Sequence, residues 1–411
     1  MDWDDFILQH EADDLARLAL SRDRYAGDVP DFDLALTTLE VRRKLRNKVP
    51  EWYTVPGLQY PFRVSGEQCS STETARYKAS VASSAAMGAK IADLTGGLGV
   101  DSWAFSKVFG KVLYNEMQPA LADAARHNFR LLGVDNITVR NGTLASADGP
   151  SDACSVQQIL DGFKPDILFL DPARRAADGR KVFRLEDCQP DVLQLLPELL
   201  EACPLVMLKL SPMADISLVC KQLGCVSQVH VVATDGECKE LLLVLERGWS
   251  GTYSLTVYES GAVARLSGGS PGGASQDQAV EYATGKDLSG WLFEPGKALL
   301  KAGAFDWPAQ AFGLRKIGRH THLYVSGSPV PEMLAPLGKC FRIKTIEPLS
   351  KAGMKAMGAA FPQAEVSARN VPMTTDELRR RLGVSSGGRI HLFGVHLDTA
   401  GNWLLATEKT D

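Results

Sequence analysis

The sequence predicts an α/β fold: a doubly wound, mostly parallel sheet, with a helical region before it and a smaller α+β region after it. Three observations carry this prediction. From about residue 88 to 248, strand-sized apolar runs alternate with helical patterns, and strands separated by helices pair in parallel. The first of these strands opens into the glycine-rich run Asp93-Leu94-Thr95-Gly96-Gly97-Leu98-Gly99. The last two flank Asp235-Gly236 and read as a long hairpin, because that dipeptide supplies the positive φ angles of a tight turn.

Residues 1 to about 85 read as helical, with apolar residues at three- and four-residue spacing in 13–20 and 34–41. A stretch interrupted by Pro50, Pro56 and Pro61 follows. Ser70 to Ala79 then looks like a helix start, Ser70 and Glu73 standing at capping-box spacing. In the alternating region the expected parallel strands are 90–94, 111–116, 137–140, 166–170 and 205–210, with a helix at 119–132. The hairpin joins 229–233 to 240–245. Beyond Gly248, 253–258 alternates like an exposed strand that 262–266 can partner, and 267–275 is a flexible loop by composition. The expected domains are 1–85 (helical), 86–248 (the parallel sheet), 249–311 (a small α+β segment) and 312–411 (a last module closed by strands at 390–395 and 403–407).

At 411 residues the chain exceeds one ordinary core, and 45% hydrophobic with 23% charged residues is a globular composition. Its apolar runs fall far short of the ~20 residues of a membrane helix. The acidic start Met1-Asp2-Trp3-Asp4-Asp5 lacks the basic and apolar parts of a secretion signal, so a cytoplasmic protein without a membrane partner is expected. Eight cysteines show no CxxC spacing, which favours reduced thiols over zinc or disulfides. The net charge of −4 hides an asymmetry: residues 311–411 carry 14 Lys+Arg against 8 Asp+Glu, or +6, leaving 31 against 41, or −10, before them. A basic tail on an acidic body suits a polyanionic partner.

The chemistry starts at the glycine-rich run. Asp93 ends a strand, Thr95, Gly96, Gly97 and Gly99 let a ligand lie against bare backbone, and a helix starting near Asp101 points amide groups at the site. Open α/β sheets bind ligands there, beyond the carboxyl ends of their strands. The second strand ends in Glu116-Met117, and a carboxylate at Glu116 can accept both ribose hydroxyls of a nucleoside. Asn141, Gly142 and Thr143 end the third strand and can reach the base of that nucleoside. Asp171-Pro172-Ala173-Arg174-Arg175 follows the fourth strand, with Asp171 placed to orient a nucleophile, and Arg174 able to stack on a base or bind phosphate. Arg175, Arg180, Lys181 and Arg184 extend that loop as either a solvated segment or a phosphate-binding lip. Gln68, Ser71 and Thr74, ahead of the first strand, are further contact candidates beside the plainer reading of a capped helix. In the tail, Arg315, Lys316, Arg319, His320, Lys344 and Arg369 are spread as phosphate-binding cations would be. His320 and His322 lack a third ligand nearby, so no metal is expected.

The run Asp93, Thr95, Gly97, Gly99 resembles motif I of class I S-adenosylmethionine-dependent methyltransferases. The closing hairpin is likewise the methyltransferase version of the Rossmann-like sheet rather than that of dinucleotide dehydrogenases. Asp171-Pro172 stands where nucleic-acid amine methyltransferases carry Asp/Asn-Pro-Pro-Tyr/Phe, but Ala173 and Arg174 replace the second proline and the aromatic. A uracil C5 enzyme needs a cysteine after the next strand, where this chain reads Lys209-Leu210-Ser211-Pro212. With Cys69 to Ala79, Phe293 to Ala298 and Arg315 to His322, the chain resembles a bacterial family joining a class I methyltransferase core to a ferredoxin-like segment and a C-terminal THUMP-like domain. That resemblance implies S-adenosylmethionine as cofactor and structured RNA, tRNA or rRNA, as substrate, methylated on a base nitrogen. A protein or small-molecule methyltransferase, and an RNA-binding protein without catalysis, are the alternatives.

Overall fold

The computed structural model describes residues 2–25, 29, 31–86, 88–145, 153–174, 184–266 and 279–410. The 267–275 loop and most of the basic loop, 175–183, lie outside the described residues. The chain divides into two compact units: residues 1–227 with 242–251, and residues 228–241 with 252–411. No helix among the described residues is long and apolar enough to cross a membrane.

The first unit begins with helices α1 (Trp3–Gln9), α2 (Leu15–Ala19), α3 (Arg22–Tyr25), α4 (Phe32–Lys48), α5 (Pro50–Tyr53), α6 (Arg63–Gln68) and α7 (Thr72–Ala85). The core of the first four is an aromatic and aliphatic cluster around Phe6, Tyr25, Phe32 and Leu39. The region is not a separate domain: Asn128 trades hydrogen bonds of 2.8 and 2.9 Å with the Gln59 backbone, and Trp52 packs edge-on against Trp103. Ser71, not Ser70, caps α7, accepting from Thr74 N at 3.2 Å. The N-cap is therefore one residue later than the expected capping box, because Ser70 is drawn inward to a buried ion pair.

The parallel strands and helices follow as β1 (Lys90–Asp93), α8 (Val100–Ser106), β2 (Lys111–Glu116), α9 (Pro119–Leu131), β3 (Ile137–Asn141), α10 (Val156–Leu160) and β4 (Ile167–Leu170). After the two-residue pair β5 (Ala173–Arg174) and β6 (Cys188–Gln189) come α11 (Val192–Ala202), β7 (Leu205–Leu210) and α12 (Ile216–Leu223). β3, β2, β1, β4 and β7 pair in parallel in that order. β4 reads Ile-Leu-Phe-Leu and is wholly buried, as a central strand covered on both faces must be. The strand order places the ends of β1 and β4 side by side, with Asp93 opposite Phe169.

The hairpin strands β8 (Val226–Thr234) and β9 (Glu237–Glu246) are divided between the units; Leu242–Glu246 counts with the first and Gln228–Leu241 with the second. In the second unit, β8 pairs in parallel with β10 (Ser254–Glu259), which pairs antiparallel with β11 (Ala262–Leu266). The remainder runs β12 (Trp291–Pro295), α13 (Lys297–Lys301), α14 (Trp307–Phe312), β13 (Arg315–Gly318), β14 (Thr321–Ser326), β15 (Gly338–Pro348), α15 (Lys351–Ala360), β16 (Glu365–Arg369), α16 (Thr375–Leu382), β17 (Ile390–Leu397) and β18 (Gly401–Lys409). Its sheet has the order β13-β14-β12-β15-β18-β17-β16. One sheet thus crosses residue 312, so the chain does not part at the joint the sequence suggested. Phe341, Phe393 and Leu405 belong to one core of this sheet, and Leu378, Leu392 and Leu404 to another.

Candidate cofactor and target site

The site grows from the turn after β1. Leu94 N donates to Phe169 O at 2.9 Å and Gly96 N to Asn115 O at 2.7 Å, so the turn is suspended between the two neighbouring strands. Gly96 has no substitute: a Cβ there would lie 2.1 Å from the Tyr114 ring. Gly99 caps α8 at φ 91°, a left-handed conformation that favours glycine. Above Gly97 there is room, since a Cβ would meet only Thr95 O, at 4.0 Å. A ligand can therefore lie directly on this backbone.

Three acidic groups surround the turn. Asp93 is buried and accepts from Ser102 Oγ at 2.6 Å and from Thr95 N at 3.1 Å. Burial pushes its carboxyl up to about 8, against the lowering effect of the Ser102 hydrogen bond. Glu116 receives Gly97 N on Oε2 and Gln118 N on Oε1, both at 2.8 Å, so its carboxylate is aimed by backbone on two sides. The third is Asp101. Its Oδ1 lies 3.2 Å from Lys78 Nζ, and its Oδ2 accepts from Ser70 Oγ at 2.8 Å. The Lys78 side chain is 0% exposed and also reaches Ser70 Oγ at 2.9 Å. Asp101 is thus committed to a buried ion pair that fastens α7 to the start of α8. Its charge is thereby matched inside the protein, beside the turn.

Beyond Glu116, Met117 is 45% exposed and apolar, a surface on which a base can rest. Asn141 Nδ2 donates to Glu116 O at 2.7 Å and Met117 O at 3.1 Å, and Gly142 N to Glu116 O at 3.2 Å. Asn141 therefore shapes this edge. Thr143 is half-buried, and its carbonyl takes Cys154 N at 2.7 Å. Gln68 is exposed, while Ser71 and Thr74 are used by the cap of α7. These last two follow the plainer reading of a capped helix.

The target end follows β4. Asp171 N donates to Thr95 Oγ1 at 2.6 Å, tying it to the glycine turn. Its carboxylate Oδ2 is paired with Lys209 Nζ from β7. Pro172 is buried. Arg174 lies in β5, paired with Cys188. Asp93, Thr95 and Asp171 are thereby brought together as the sequence arrangement anticipates. Sequence reasoning missed Ser102, Ser70, Lys78 and Lys209; only the placement of Lys209 near a strand end carried a usable signal.

The cofactor named by the resemblance can be tested against this geometry. A nucleoside with a cationic amino-acid arm needs bare backbone, an acceptor pair for the ribose and a carboxyl near the cation. The open room over Gly97, the backbone-aimed Glu116 and the buried Asp93 supply all three, so the residues fit S-adenosylmethionine.

In the second unit four of the six tail residues named from the sequence are matched to carboxylates. Lys316 is 3% exposed at its side chain and holds Asp306 at 2.7 Å, which corrects its reading as an RNA-facing cation. Arg315 pairs with Glu281 and Asp287, Lys344 with Glu408, and Arg369 with Glu294. Arg319 and His320 are exposed.

Comparison with known proteins agrees with this architecture. A ferredoxin-like domain family matches residues 291–333, and a THUMP domain-like family matches residues 338–409. An uncharacterized S-adenosylmethionine-dependent methyltransferase of Mycobacterium tuberculosis, found in strains CDC 1551 and H37Rv, is 25% identical over 351 residues, 85% of this chain and 88% of that one. A crystal structure described as a candidate methyltransferase of Porphyromonas gingivalis W83 superposes with a TM-score of 0.77 at 30% identity, covering 100% of both chains. With the glycine turn, the acidic strand ends and these relatives together, the chain belongs to the class I S-adenosylmethionine-dependent methyltransferases that carry a C-terminal THUMP-like domain.

Proposed function

We propose that this methyltransferase acts on a base nitrogen of structured RNA, in tRNA or rRNA. The observation that carries the reading is the THUMP-like match over 338–409 in the same chain as the methyltransferase core. THUMP domains usually deliver structured RNA to an attached modifying domain. In this reading Asp93, Thr95, Gly96, Gly97, Gly99, Glu116, Met117, Asn141, Gly142 and Thr143 surround the cofactor, with Asp101 bracing the turn. When bound, S-adenosylmethionine supplies an electrophilic methyl group on a sulfonium. The protein's task is then alignment and exclusion of water. Asp171 accepts a hydrogen bond from the N–H of the target, which aims the nitrogen lone pair and gives the departing proton a destination. Pro172 stiffens the turn beneath it, and Arg174 stands in the sequence where related amine methyltransferases carry a stacking aromatic residue. Of the six tail residues named from the sequence, Arg319 and His320 are exposed and carry no ion pair among the described residues, which makes them candidates for phosphate contact. The paired Arg315, Lys344 and Arg369 engage RNA only by exchanging a carboxylate for a phosphate.

Nucleoside analysis of total RNA tests this. A strain lacking the gene is expected to lose one N-methylated nucleoside, and the wild-type gene but not Glu116→Ala restores it. An unchanged set of RNA nucleosides, with a missing methyl mark on a protein or metabolite, would replace RNA with that substrate class.

A further inference from the structure

Asp171 is fixed at two points. Its amide is held by Thr95 Oγ1 and its Oδ2 by Lys209 Nζ. β4 and β7 are parallel neighbours with Leu170 opposite Leu208, so Asp171 and Lys209 emerge together at the carboxyl edge of the sheet. That edge is where ligands of open α/β folds sit. The side chains are 36% and 13% exposed respectively. A charge pair half withdrawn from water is held more firmly than a solvated surface pair. Thr95 joins this pair to the cofactor turn, because its own amide donates to Asp93 Oδ1 at 3.1 Å.

We propose that Lys209 is a positioning residue for methyl transfer: it clamps Oδ2 of Asp171 and leaves Oδ1 to accept the N–H of the nucleophile. The proposal rests on the reading of Asp171 as the target-site acid. In the step, the nitrogen lone pair forms the new N–C bond, and the C–S bond breaks with its electron pair going to sulfur. The proton lost from nitrogen goes to Oδ1. The sulfonium charge and the carboxylate charge both disappear, so charge and atoms balance. An unclamped carboxylate would spend part of its time in rotamers turned away from the nucleophile, and small misplacements of reacting groups are costly in rate. The alternative is a lysine that only supports the fold, and the two differ in what a substitution moves.

The test uses the full chain, labelled S-adenosylmethionine and total RNA from a strain lacking the gene. Lys209→Met is expected to bind S-adenosylmethionine with wild-type affinity by calorimetry. Its kcat should fall about 100-fold or more, with KM for RNA little changed. Lys209→Arg, which keeps the cation, should recover most of the rate. Adding Lys209→Met to Asp171→Ala should cost nothing further, since residues that act as a unit are not additive. Lys209→Gln serves if the methionine variant does not fold. Wild-type kcat in either neutral variant, with Asp171→Ala inactive, overturns the proposal. So does a loss in which cofactor affinity falls in parallel and arginine gives no rescue. A wild-type protein that binds the cofactor but labels no RNA overturns the function reading and this proposal with it, and that outcome is visible before any variant is made.

Discussion

Asp93 carries a carboxyl that burial has pushed up to about 8, so at neutral pH it is mostly protonated in the free protein. A cationic ligand beside it favours the ionised form. Cofactor binding should therefore release protons near neutral pH, with the release fading above pH 9 as the carboxyl is already ionised. Calorimetry of S-adenosylmethionine binding in buffers of different ionisation enthalpy measures this directly. Binding with no proton release at pH 7 would remove Asp93 from the cation's surroundings. At this scale the sequence was informative where a residue sits at a strand end, as Asp93, Glu116 and Asp171 do. It was silent on Lys78, because a lysine between Tyr77 and Ala79 on a helix looks like any solvated charge until its partner, 23 residues away in sequence, is known. Ser70 was misjudged for the same reason: its hydroxyl answers to the side chains of Asp101 and Lys78, not to the first backbone amides of α7.

The elements follow from hydrophobic period and turn chemistry, which are local and therefore readable. β4 and β7 appear in the sequence as short apolar runs, and the Asp235-Gly236 hairpin is announced by its turn, where the two residues take φ of 54° and 73°. The glycine turn is the element on which the site depends most. Gly96→Ala would force its methyl into the Tyr114 ring, whose hydroxyl holds Gly97 O at 2.6 Å. Overpacking of this kind costs about 1–3 kcal/mol. A lowered urea midpoint together with weakened cofactor binding is the expected outcome. Unchanged stability would mean that the ring can swing aside and that the turn is less tightly built than the geometry implies. What the sequence could not give was which element holds which: the strand order, and hence the meeting of Thr95, Asp171 and Lys209, arises only from long-range pairing.

For the whole molecule, sequence suggested a basic tail, and the structure refines what that charge can do. Lys316 is buried, and Arg315, Lys344, Arg369, Arg379, Arg381 and Arg389 each face a carboxylate. Formal charge counts cannot distinguish a free cation from a paired one. Lys351 and Lys355, one turn apart on α15 and both exposed, are better placed to meet phosphate. Replacing both with alanine should weaken binding of a bacterial tRNA pool and lower the slope of log affinity against log salt by about 1–2. Fluorescence anisotropy across a salt series reads that change. An unaltered slope would move the RNA surface elsewhere.

The most direct measurement is transfer of label from S-adenosylmethionine by the full chain into total RNA purified from a strain lacking the gene. The account predicts label in RNA, recovered after digestion as a single N-methylated nucleoside and abolished by Asp171→Ala. Label confined to protein or small molecules, with none in RNA, would contradict it.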